Sequence, residues 1–172
     1  MRNVVAFVIL WLALVVESTA FQIQPINVIQ PNLVLIVLVV VGLTRGPTVA
    51  LTVGILVGFI QDTVYGSFLG LNAFTYGVIG YFAASLFAQF LHRNVSITFL
   101  VVLLFTFIES WITFALTSLF GGTAYSWHAV LSQLLWQMMV NGIVLLLLYP
   151  LLVRFFTDKP HRRYRDGKQE SL

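Results

Sequence analysis

Apolar residues run along this chain in long blocks broken by isolated basic residues. Lys and Arg occur at Arg2, Arg45, Arg93, Arg154, Lys159, Arg162, Arg163, Arg165 and Lys168, leaving windows 3–44, 46–92 and 94–153 with neither. Each window has room for two apolar helices of about 20 residues and a turn, and about 20 residues is the length that crosses a hydrocarbon core. The pattern predicts three helical hairpins, or about six spans. Lys and Arg near span ends are retained on the cytoplasmic side. Six spans put all nine basic residues on that side, and both termini with them.

Span 1 covers about Asn3 to Phe21, and Gln22 to Gln30 forms an outer turn. Span 2 opens at Pro31, a favoured first helical position, and ends near Leu43. It is short for a core about 30 Å thick, which calls for little tilt, a thinned bilayer or shelter from its neighbours. Span 3 runs from Pro47 to about Tyr65, Gly66 to Gly70 makes a tight turn, and span 4 covers about Leu71 to Leu91. Span 5 covers about Val95 to Leu116, and span 6 follows a Gly121-Gly122 loop from about His128 to Val153. A re-entrant pair made of spans 2 and 3 is the alternative. It sets Arg45 at membrane depth, which costs at least about 2.5 kcal/mol, so six full spans are preferred. Residues 1–21 also imitate a secretory signal, with Arg2, the apolar run Val4 to Val16 and Ser18-Thr19-Ala20. Glu17 sits awkwardly beside that run, and the segment reads as a retained span. The chain divides into one bundle, residues 1–156, and a basic cytoplasmic tail, residues 157–172.

Composition sharpens the class. Hydrophobic residues make up 59% of the chain and charged residues 9%, against about 25% charged in a soluble domain. That is too little charge to cover a water-facing surface, so the fold class is an all-α polytopic transmembrane helix bundle. The absence of cysteine excludes disulfides and thiolate metal sites. Six of the nine basic residues lie from Arg154 onward, a cluster that attracts an anionic inner leaflet. Holding the carboxyl terminus inside accounts for them, and nucleic acid is not an expected partner.

Two polar features stand out. Every fourth residue from Gly46 gives Ala50, Gly54, Gly58, Asp62, Gly66 and Gly70, a small-residue row of the kind that lets membrane helices approach closely. Span 4 has a shorter row, Gly80, Ala84 and Ala88. Packing is the first reading of both rows. The second feature is depth. At about 1.5 Å per residue, Glu17, Asp62, Glu109 and Asn141 all lie roughly 20 to 23 Å above the cytoplasmic edge. Carboxylates at that level are paired, protonated, or face a wet interior. No Lys or Arg is available on the outer side, so hydrogen bonds from Ser18, Thr19, Asn72, Thr75, Tyr76, Ser110, Thr113, Trp11 or Trp111 are the expected compensation. An outward polar groove is one reading. The other makes Asp62 a helix cap and leaves Glu17 and Glu109 shallow enough for water.

The stretch Gly-Phe-Ile-Gln-Asp-Thr-Val-Tyr-Gly-Ser-Phe-Leu-Gly-Leu-Asn-Ala-Phe-Thr-Tyr, residues 58–76, resembles the signature of the MreD family of bacterial rod shape-determining membrane proteins. Gly58, Asp62, Tyr65, Gly66, Gly70, Leu71, Asn72 and Tyr76 fall within it, and Gln-Pro-Asn-Leu at 30–33 and the Arg45-Gly46 turn also fit. An acidic residue is common after that proline in the family, and Asn32 departs from it. The resemblance implies a non-enzymatic scaffold of the cell-elongation machinery in the bacterial inner membrane, with no cofactor. Its implied partner is MreC, and through MreC the synthase RodA, an elongation transpeptidase and MreB. It also implies a bundle similar to the substrate-binding subunits of energy-coupling-factor transporters, and an MreC contact on spans 3 and 4 near Gly54, Gly58, Gly66 and Asp62.

A vitamin-binding transporter subunit is the competing function, with Trp111, Trp127, Tyr76 and the carboxylates around a pocket. Against it, Ala6 is followed four residues later by Leu10, which breaks the Ala-xxx-Ala pattern of such subunits. Enzyme chemistry is weaker still. Asp62 has no second intramembrane aspartate, and His92, His128 and His161 lie at span ends or in the tail.

Overall fold

The computed structural model describes residues 2–20, 30–66, 68–87, 95–120 and 127–156. Six helices form among them: α1 (Arg2–Ala20), α2 (Leu33–Arg45), α3 (Pro47–Tyr65), α4 (Leu71–Phe87), α5 (Val95–Leu119) and α6 (Trp127–Phe156). The expected turn after Phe21, the end of span 4 past Phe87, the 121–122 loop and the basic tail lie outside the described residues. Three helical segments, Pro47–Tyr65, Val95–Leu119 and Val130–Phe155, are long and apolar enough to cross a bilayer, and Asn3–Thr19, Leu33–Arg45 and Leu71–Phe87 are shorter apolar segments. The protein is the all-α membrane bundle that the hydrophobic pattern predicts.

Helix α2 occupies the centre, in contact with all five others. Every residue from Leu33 to Leu43 is buried. Residues 34–41, Val-Leu-Ile-Val-Leu-Val-Val-Val, are of a type that favours strands in water. Away from water each backbone N–H and C=O needs a partner, and a helix supplies those within the segment. A helix that is apolar all round belongs inside a bundle. Its 13 residues rise only about 20 Å, and of the three ways to place so short a span, the molecule uses enclosure by neighbours.

The ends of α2 are set by two residues. It begins at Leu33 rather than Pro31, because Asn32 is the N-cap and its side chain accepts from Leu35 N–H at 2.8 Å. It closes at Gly46, where φ is +92° and ψ is 170°, a conformation that is nearly exclusive to glycine. Gly46 N–H donates to the Gly42 carbonyl at 3.1 Å, and the Gly46 carbonyl accepts from Ala50 N–H at 3.2 Å. Pro47, with no N–H to satisfy, then opens α3. One residue joins the central helix to the next.

Helices α3 and α4 pack backbone against backbone. A Cβ on Gly54 would meet the Tyr76 carbonyl oxygen at 2.7 Å, one on Gly58 would meet the Asn72 carbonyl oxygen at 2.5 Å, and one on Gly80 would meet that of Ala50 at 2.8 Å. The small-residue row of span 3 therefore builds this hairpin. The Cβ-bearing sides of Gly54 and Gly58 face α4, so these two glycines serve a contact within the chain. The faces turned away from this contact carry Leu56, Phe59 and Val64 on α3 and Phe74, Tyr81, Phe82 and Leu86 on α4, all exposed. Leu100, Leu104 and Phe107 on α5 and Leu135, Met139 and Leu147 on α6 extend the apolar exterior. An apolar surface this continuous suits lipid and not water.

Candidate functional site

Polar groups gather in two clusters, one in the α3–α4 turn and one at the start of α2. In the first, Asp62 near the end of α3 is buried and caps the next helix. Its Oδ2 accepts from Gly70 N–H and Ala73 N–H, each at 3.0 Å. Its Oδ1 accepts from Asn72 N–H at 3.0 Å and from Asn72 Nδ2 at 2.9 Å. A helix leaves its first N–H groups without partners and carries partial positive charge there, so a carboxylate is well placed. The turn is tight around this contact. Gly70 has φ +97°, and a Cβ on Gly66 would meet the Asp62 carbonyl oxygen at 2.6 Å. Tyr65 is exposed and stands apart from the cluster.

The second cluster caps α2. The buried stripe of α1, Ala6, Leu10 and Leu14, continues by helical spacing to Glu17, which brings its carboxylate onto the central helix. Glu17 Oε2 accepts from Val34 N–H at 3.2 Å, and the same carboxylate meets Leu33 N–H. From α6, Asn141 Oδ1 accepts from Asn32 N–H at 2.9 Å, while Asn141 Nδ2 donates to Thr106 Oγ1 at 3.0 Å. The Tyr76 hydroxyl donates to Asn32 Oδ1 at 3.4 Å. The N–H groups of residues 32 to 35 thus find side-chain acceptors on α1, on α6 and on the cap itself.

Glu109 is arranged differently. Among the described residues its carboxylate is reached by Ser110 Oγ and Thr113 Oγ1, both at 3.5 Å, the outer limit of a hydrogen bond. It lies within electrostatic reach of Glu17 and Tyr76. It also borders a groove of about 320 Å³ between α5 and α6, with Ser110, Thr113, Phe114 and Thr117 on one wall and Val130, Gln133, Leu134 and Gln137 on the other. Of the four residues expected at one level, Glu17 and Asn141 meet at the α2 cap, Glu109 lines the groove, and Asp62 is engaged in its own turn. The remaining expected donors divide. Asn72, Tyr76, Ser110 and Thr113 act within these clusters, whereas Thr19 and Thr75 turn back to the carbonyls of Val15 and Leu71. Thr106, Gln133 and Gln137 were not singled out in the sequence. Gln133, Gln137 and Asn141 repeat every four residues along α6, a row that marks one face.

The signature residues now have places: Gly54 and Gly58 in the α3–α4 contact, Asp62, Gly66, Gly70 and Asn72 in the turn, and Tyr76 against the α2 cap. Against known families, residues 1–159 match the rod shape-determining protein MreD. The chain belongs to the MreD family. Its role therefore lies in rod-shape determination. No curated protein and no solved structure matches it, and the likeness to energy-coupling-factor subunits gains no support. No group of three or more His, Asp or Glu residues that could hold a metal occurs among the described residues of this MreD-family chain.

The α2 cap offers a direct test within this MreD-family fold. Asn32→Ala removes the acceptor for Leu35 N–H and is expected to lower stability by about 1 to 2 kcal/mol, the usual effect of losing an N-cap. Thermal unfolding of the purified protein in detergent checks it, and Asn32→Asp, which keeps an acceptor, should lose less.

Proposed function

We propose that this chain is a non-enzymatic scaffold of the elongation machinery that binds MreC in the bacterial inner membrane. The family match over residues 1–159 carries the reading. In the proposed arrangement the chain is multi-pass, with its termini and Arg45 cytoplasmic and the capped ends of α2 and α4 toward the outer side. MreC links it in turn to RodA, an elongation transpeptidase and MreB. The internal polar groups fit a scaffold, since Asp62, Asn32, Glu17 and Asn141 hold helix starts in place. Co-expression with MreC, followed by detergent extraction and pull-down on a tagged chain, tests the assignment. MreC is expected in the eluate. Recovery of a folded, monodisperse chain without MreC would refute it.

A further inference from the structure

Among the described residues, the groove between α5 and α6 is a polar feature that caps no helix start. The two helices touch lower down, where Asn141 Nδ2 reaches Thr106 Oγ1 at 3.0 Å and a Cβ on Gly142 would meet Phe99 Cε2 at 2.8 Å. Beyond that contact the buried positions of α5 stop at Thr106, and the groove begins. Glu109, Thr113 and Thr117 follow one another at four-residue spacing on one wall, and Gln133 and Gln137 do so on the other. The polar row on the α5 wall is thus about 12 Å long and that on the α6 wall about 6 Å, both parallel to the helices. The rims are apolar and exposed, with Phe107 and Trp111 on α5 and Leu131 and Leu135 on α6.

We propose that this groove seats a single membrane-spanning helix of a partner, whose seam brings hydrogen-bond donors to the level of Glu109. The argument is one of complementarity. Asp62 receives four donors at 2.9 to 3.0 Å, whereas Glu109 has two hydroxyls at 3.5 Å. The segment 94–153 that forms both walls contains no Lys or Arg, so it offers Glu109 no ion pair, and a donor from a partner would strengthen the two long hydroxyl contacts. Polar side chains hold membrane helices together because lipid offers them no hydrogen bonds. A helix laid along the groove covers its polar floor with donors and its apolar rims with aliphatic side chains. The assignment rests on the reading of MreC as partner, and it moves the contact from the α3–α4 glycines to α5 and α6.

Site-specific photocrosslinking in membranes containing both proteins tests it. A photoreactive phenylalanine analogue is placed at position 113 or 137 in the groove, and at position 59 or 82 on the lipid-facing side of α3 and α4. Crosslinks to the MreC membrane segment from 113 and 137, and none from 59 and 82, are expected. Crosslinks from 59 and 82 alone, with MreC still co-purifying, would overturn the groove and leave the scaffold reading intact. Crosslinked dimers of the chain from 113 or 137 would overturn it in favour of self-association. Loss of MreC from both the crosslinks and the pull-down would overturn both readings. Glu109→Leu is expected to reduce MreC recovery about three- to tenfold, the range for one interhelical hydrogen bond, and Glu109→Gln is expected to restore most of it. Equal recovery with all three side chains would sink the role given to Glu109.

Discussion

Gly58→Leu is expected to eliminate folded protein. A Cβ at this position would meet the Asn72 carbonyl oxygen at 2.5 Å and the Ala73 Cα and N at 2.6 Å. All three atoms belong to the α4 backbone, so no side-chain rotation relieves the clash and the two helices must separate. Separation also pulls Asp62 away from the N–H groups of Gly70, Asn72 and Ala73, so the loss spreads from packing to hydrogen bonding. Overpacking in a core typically costs about 1 to 3 kcal/mol, and backbone-on-backbone contact combined with a broken cap exceeds that range. Size-exclusion profiles in detergent should show aggregate in place of a monodisperse peak, and Gly58→Ala should already fall short of wild type. The neighbouring Phe59→Leu is the control, since Phe59 is exposed on the other face and its variant should fold. If MreC recovery fell with Gly58→Leu while the bundle kept its melting temperature, the internal role of this glycine would be wrong.

Asp62→Ala is the second large effect. It strips the acceptor from three backbone N–H groups and from Asn72 Nδ2 in one step. A buried donor left without a partner costs about 1 to 3 kcal/mol, so the combined destabilisation should exceed about 3 kcal/mol. Asp62→Asn keeps one acceptor oxygen but turns an NH₂ group toward N–H donors, so it should fall between wild type and the alanine variant. Melting temperatures in detergent give the order wild type, Asn, Ala. A reversed order, or no change in either variant, would contradict the capping role and return Asp62 to the pool of groups available for a ligand or partner.

Much of the architecture was readable from charge and hydropathy. Pro47 and Tyr65 bound α3 as expected, because a proline at one end and Gly66 at the other punctuate the chain unmistakably. The shelter of α2 was legible in part, since a short segment of apolar residues on every side implies neighbours all round. The helix starts at Leu33 and not at Pro31, because capping by Asn32 outweighs the preference for proline in the first turn. The polar groups were harder to read, for a physical reason. Side chains are the donors that a sequence displays, whereas most donors to the buried carboxylates are main-chain N–H groups at helix starts. Every residue but proline carries such a donor, so nothing in the sequence tells which ones a fold will leave open. The glycine row was correctly read as packing, but its partner is α4 within the same chain.

The hydrogen bond from Asn32 N–H to Asn141 joins residues 109 positions apart. At a synthesis rate of about 5 to 20 residues per second, the ribosome needs at least about 5 to 20 s after making Asn32 to deliver its acceptor. Throughout that interval the central helix sits in the membrane with its cap incomplete, and the last hairpin closes it. A chain that ends before the sixth helix lacks that acceptor and leaves the Asn32 donor open.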